Sequence, residues 1–93
     1  MIFDTHIRGV RHQNGAEKTI RNLRTGDQLT LRREPQNPYD KNAIGICCGP
    51  TFLGFVAAEL AARIAPLMDR GETVACVFRR SPDANFLRTQ SDC

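Results

Sequence analysis

Short runs of alternating apolar and polar residues dominate the chain, and they predict a protein built mostly from strands. Ile2 to Val10 alternates imperfectly and reads as a first strand, with Phe3, Thr5 and Ile7 facing inward and His6 and Arg8 outward. Gly9 to Gly15 is turn-rich, ending on the Asn14-Gly15 dipeptide. Lys18 to Leu23 reads either as a short strand or as a ragged connection. Thr25-Gly26-Asp27 then turns the chain into Gln28 to Arg33, a strand with Leu29 and Leu31 on one face. Ala43 to Cys48 is the next strand, Gly49-Pro50 breaks it, and Thr51 to Phe55 returns as its hairpin partner.

The period changes after Phe55. Val56, Leu60, Ile64 and Leu67-Met68 recur at helical spacing, so residues 57–70 are expected to be a helix. Glu59 suits its positive end, Arg70 its negative end, and Gly71 its C-terminal cap. Pro66 inside the pattern should kink the helix or end its regular part early. Glu72 to Arg79 is a further strand with Val74, Cys76 and Phe78 on one face, and Asn85 to Thr89 adds a short edge strand. The expected fold class is therefore mostly β (α+β): a small, curved antiparallel barrel with one helix, 57–70, plugging an opening. Residues 1–93 form one domain with its core at about 4–78, and Gln90 to Cys93 is a frayed tail.

Between the second and third strands lies Glu34-Pro35-Gln36-Asn37-Pro38-Tyr39-Asp40-Lys41-Asn42. Two prolines fix φ and push Glu34 and Asn37 towards extended conformations, so this connection is stiff. A stiff loop that presents an aromatic ring, a carboxylate and basic residues is suited to holding a polar ligand.

Charge sharpens that expectation. The net charge is +3, residues 1–57 hold eight bases against five acids, and eleven of the thirteen bases are arginine. Arginine grips phosphate with two parallel hydrogen bonds, which favours a nucleic-acid patch over a surface of merely mixed sign. Cys47, Cys48, Cys76 and Cys93 contain no C-x-x-C spacing, and adjacent residues of a strand point to opposite faces. Structural thiols are the expectation, with zinc at these four cysteines a minor alternative. No apolar run approaches the ~20 residues of a membrane span, and Asp4, His6 and Arg8 interrupt the N-terminus where a signal peptide would be apolar. An intracellular, cytoplasmic protein without a cofactor is expected.

The run Leu29-x-Leu31-x-Arg33-Glu34-Pro35-x-Asn37-Pro38-Tyr39-Asp40-x-Asn42-Ala43-Ile44 resembles the signature of HIRAN domains, and Gly9-Val10-Arg11 and Leu53-Gly54-Phe55-Val56 fit the same pattern. The resemblance implies an OB-like barrel whose surface binds strands of nucleic acid by stacking and electrostatic contacts. It implies that Tyr39 stacks on an unpaired base, against the alternative that the ring packs the loop onto the barrel. It also implies that Asp40 recognises the free 3′-hydroxyl of a DNA end; the competing role for Asp40 is an Asx cap on the turn. Arg11 aligns with an arginine of the same pocket. His12 stands where relatives often carry an aromatic ring. Phe55 is either a second stacking face or, preferably, core. Arg33 and Lys41 flank the loop and complete the DNA-binding set, and Phe86 closes the pocket from the C-terminal side. Ala57-Ala58 departs from relatives that place lysines at the helix start.

Three functions compete. The favoured one is a non-enzymatic module for single-stranded DNA, preferring free 3′ ends, in repair or replication-fork processing. Its partner would be a helicase, ATPase or nuclease, because the chain has no Gly-x-x-x-x-Gly-Lys loop. A nuclease or hydrolase would need paired carboxylates or a nucleophile–base set, and none is evident. A protein-interaction module would dock through an edge strand or the helix.

Overall fold

A computed structural model describes residues 2–10, 13–80 and 85–91. Six strands, β1 (Ile2–Arg8), β2 (Gln28–Arg33), β3 (Ile44–Cys48), β4 (Thr51–Val56), β5 (Val74–Arg80) and β6 (Asn85–Ser91), close into a barrel in the order β1-β4-β3-β2-β5-β6. Every pairing is antiparallel. The segment expected as an edge strand is therefore not an edge. β6 pairs with β5 from Val74↔Ser91 to Arg80↔Asn85 and with β1 from Ile2↔Gln90 to His6↔Phe86, so it is the stave that closes the sheet. Among the described residues, each strand is paired on both sides over at least part of its length.

Two helices accompany the barrel where one was expected. The first, α1 (Ala16–Asn22), occupies the segment read as a strand or ragged connection. Ala16, Ile20 and Leu23 fall at i, i+4 and i+7 and are all buried, while Glu17, Lys18 and Arg21 face water. The second, α2 (Ala58–Asp69), buries Leu60, Ala61, Ile64 and Ala65. Pro66 does not end it: the helix runs three residues further, to Asp69, with Pro66 and Ala62, four residues earlier, both exposed. Gly71, at φ +86°, ends α2 with its N–H donated to the Met68 carbonyl while the Glu72 N–H reaches Leu67, a Schellman motif.

The interior is filled from both sources. Leu29, Ile44, Ile46, Leu53, Val56, Cys76 and Phe78 line the barrel, and the apolar faces of α1 and α2 join the same cluster. One irregularity governs what the outside presents. Opposite Ile46 and Cys47 the register of β4 shifts, so Gly54 pairs with Ile46 and Phe52 with Cys47. The extra residue, Leu53, is wholly buried. Plain alternation would set Phe52 and Phe55 on opposite faces; the bulge turns both outward. Gly54 makes it feasible, with φ +152° and no room for a side chain beside Arg8 of β1.

Candidate nucleic-acid pocket

The loop between β2 and β3 is held by its own polar groups. Asn37 Oδ1 accepts the backbone N–H of Tyr39 at 2.9 Å and of Asp40 at 3.1 Å, and Asp40 Oδ1 accepts that of Asn42 at 2.8 Å. Backbone bonds from Glu34 to Ala43, Asn37 to Glu34 and Ala43 to Asp40 close the turn. Side-chain oxygens that satisfy turn amides leave no slack. The result is a fixed corner at the end of the barrel where β2 stops, β3 starts and α2 begins.

Against this corner lies a cavity of about 400 Å³, lined by Arg8, Asn37, Tyr39, Asp40, Ala43, Phe55, Val56, Ala58 and Glu59. That volume lies within the range of small-ligand pockets. Tyr39 is 96% exposed, the one large hydrophobic side chain in that state among the described residues. The ring does not pack the loop onto the barrel; the loop is held without it. Asp40 is half-buried and caps the turn through Oδ1 alone. Among the described residues Oδ2 makes no hydrogen bond, so the turn cap occupies one oxygen of this carboxylate and leaves the other uncommitted. Phe55 is half-buried and lines the cavity rather than filling the core, a consequence of the bulge at Leu53-Gly54.

The flanking bases divide. Arg33 follows Leu29 and Leu31 on the inward side of β2, and at the barrel's mouth it turns to structural work. It donates to Asp69 Oδ1 at 2.9 Å, to Asp69 Oδ2 at 3.2 Å and to the Ala43 carbonyl at 3.2 Å. This places a base beside the acid that closes the negative end of α2. Arg33 does not line the cavity, and neither does Lys41, which is exposed. Arg11 and His12 lie outside the described residues, as do the Phe86 side chain and Cys93.

Arg8 and Glu59 line the cavity without having been singled out from sequence. Arg8 carried a signal, since it faces outward on β1 and its register partner is Phe55. Ala57, the residue preceding α2, supplies no side-chain cap to the first-turn amides, and Ala58 and Glu59 of that turn line the cavity. Elsewhere, Cys47 and Cys48 are half-buried free thiols, and burial pushes the Cys76 thiol up to about 12. Among the described residues no three His, Cys, Asp or Glu side chains gather as metal ligands, and no helix is long and apolar enough to cross a membrane.

A family model for the HIRAN domain matches residues 2–93. The chain belongs to the HIRAN family. It is 37% identical over 73 residues to the helicase-like transcription factor of rabbit (Oryctolagus cuniculus) and 36% identical over 74 residues to a Fanconi-associated nuclease 1 homolog of rice (Oryza sativa subsp. japonica). Those matches take in 74% and 75% of this chain and 7% of each relative, so the chain spans a small part of their length. Among solved structures, the HIRAN domain of human HLTF superposes with a TM-score of 0.78 at 26% identity, over 97% of this chain and 74% of that one. A Lactobacillus plantarum protein gives the same score and identity over 94% of this chain and 91% of its own. The OB-like, mostly β architecture is thus that of HIRAN domains.

Proposed function

We propose that this HIRAN domain binds single-stranded DNA and takes a free 3′-hydroxyl end into the pocket between the Asn37–Ala43 loop and the start of α2. The observation that carries the reading is the pair at its rim: a ring almost wholly in water beside a carboxylate with one oxygen uncommitted among the described residues. Tyr39 offers its face to the terminal base, and stacking on an aromatic ring contributes ~1–3 kcal/mol. Asp40 Oδ2 accepts a hydrogen bond from the terminal 3′-hydroxyl. An internal nucleotide has its 3′-oxygen esterified and cannot donate, and a 3′-phosphate is repelled. Arg8 and the uncapped start of α2 meet the phosphate preceding the terminal sugar. The module would serve a helicase or nuclease acting in DNA repair, as the names of its relatives suggest, and performs no chemistry of its own.

Oligonucleotides identical except for a 3′-hydroxyl or 3′-phosphate test this by fluorescence anisotropy. A hydrogen bond to a charged group contributes ~1.5–3 kcal/mol, so the hydroxyl form should bind roughly 10- to 150-fold more tightly. Asp40→Asn removes the charge while keeping an acceptor, and the preference should shrink. Equal affinities in the wild-type protein defeat the proposal.

A further inference from the structure

The pocket wall continues onto the outer face of the sheet. Phe55 meets Phe52 edge to face, with ring centroids 5.2 Å apart and planes at 81°. The Arg32 guanidinium lies over the Phe52 ring, 4.7 Å from its centroid. Glu34 Oε2 holds that guanidinium through Nε at 3.3 Å and Nη2 at 2.9 Å, and its hydrogen bond is the main cause of a raised Arg32 pKa. The sheet makes room for this stack at one position. A Cβ on Gly45 would come within 2.7 Å of Glu34 Oε2 and 2.8 Å of Phe52 Cε2, so the absent side chain lets ring and carboxylate lie down on β3. Register explains the row: Arg8 is opposite Phe55, Phe55 opposite Gly45, and Gly45 opposite Arg32.

We propose that Phe55, Phe52 and Arg32 form a stacking platform for the nucleotides that precede the 3′-terminal dinucleotide, whose end is held in the pocket. This rests on the reading of the pocket as a 3′-end site and extends it to the path of the strand. Phe55 belongs to both surfaces, so a strand leaving the pocket meets the platform without crossing any other element. The Arg32 side chain is 55% exposed, and its far face offers a flat, fixed plane on which a base can stack. Arg32 and Glu34 together are nearly neutral. The platform therefore takes bases rather than phosphates, and its contribution should vary little with salt.

A length series ending in 3′-hydroxyl tests the proposal. The wild-type protein should gain affinity from dinucleotide to tetranucleotide by roughly 5- to 150-fold per stacked base, and most of the gain should persist at high salt. Phe52→Leu keeps an apolar side chain but removes the ring; it should leave dinucleotide affinity within about twofold and abolish most of the tetranucleotide gain. Amide shifts of the wild-type protein give a check that needs no variant: Gly45 and Phe52 should move with the tetranucleotide and not with the dinucleotide. No gain with length, a gain untouched by Phe52→Leu, or a gain lost with salt overturns the platform. A Phe52-dependent gain without preference for the 3′-hydroxyl would instead retain the platform and remove the end-recognition reading.

Discussion

Gly54 joins the barrel's closure to the pocket wall, and replacing it with alanine should expose that dependence. A Cβ there would sit 2.3 Å from the Arg8 carbonyl oxygen and 3.0 Å from Ile7 Cγ2. A carbon and a carbonyl oxygen in contact are normally ~3.3 Å or more apart, so the strands must part by about 1 Å. The β1–β4 ladder has little to spare, since its register comprises Ile7↔Val56 and Arg8↔Phe55. Holding a non-glycine residue at φ +152° costs about 1–3 kcal/mol, and weakening one or two ladder hydrogen bonds adds about 0.5–1.5 kcal/mol each. The expected loss is about 2–5 kcal/mol, against a total of roughly 5–14 kcal/mol for a domain of this size.

Gly49→Ala is the control. Gly49 also has a positive φ, +55°, but a Cβ there meets nothing within 4 Å, so it isolates the backbone cost of about 1 kcal/mol. Scanning calorimetry and urea unfolding measure both. With ~4–8 °C per kcal/mol for a small domain, Gly54→Ala should lower Tm by roughly 8–40 °C and Gly49→Ala by less than about 10 °C. Equal losses in the two variants would refute the steric argument.

Two further predictions concern parts of the fold remote from the pocket. Burial raises the Cys76 thiol from 9.0 to about 12, so the folded state keeps its proton while the unfolded chain releases it. The associated stability is complete below pH 9 and falls as pH rises from there towards 12, by up to ~1.4 kcal/mol per pH unit; urea titrations at pH 8 and pH 10 should show the drop, and Cys76→Ala should abolish it. Arg80 Nη2 donates to the carbonyls of Ile20 and Leu23 at 2.8 Å each and more distantly to Arg21, closing the negative end of α1. Arg80→Met should cost about 1–3 kcal/mol and speed amide exchange across residues 16–22; unchanged protection there would show that α1 does not depend on this side chain.

The strands were legible because alternation is a local signal, and β2, β3, β4 and β5 start and stop within about two residues of where their patterns do. The barrel's closure was not, because pairing β6 to β1 joins the two ends of the chain and leaves no local trace. The helix α1 was readable in principle from the spacing of Ala16, Ile20 and Leu23, but a window opening at Lys18 drops Ala16, and two apolar positions do not separate helix from strand. In the pocket, the Asn37–Asn42 turn was legible from its residue types, which dictate the capping geometry seen. Phe55 was preferred as core because phenylalanine is ordinarily buried, and no local signal announced the bulge that turns it outward. Arg33 was a candidate by sequence proximity to the loop, whereas its parity with Leu29 and Leu31 already aimed it inward, towards Asp69.

Among the described residues, the charges lining the pocket are the reverse of what general affinity for a polyanion would need. Of these, Asp40 and Glu59 stand against Arg8 alone, and three described arginines are already paired: Arg32 with Glu34, Arg33 with Asp69 and Arg70 with Glu72. A surface built only to hold phosphate would leave those guanidinium groups unpaired and omit the carboxylates. Under the proposed reading this is the logic of discrimination rather than of strength. Specificity is a difference between two affinities, and a carboxylate that repels every internal phosphodiester lowers binding along the strand while sparing the terminal hydroxyl. Removing that charge should therefore tighten binding to internal segments and weaken the distinction between end and middle. A lysine at position 40 would convert selective capture of an end into indiscriminate adhesion to the strand.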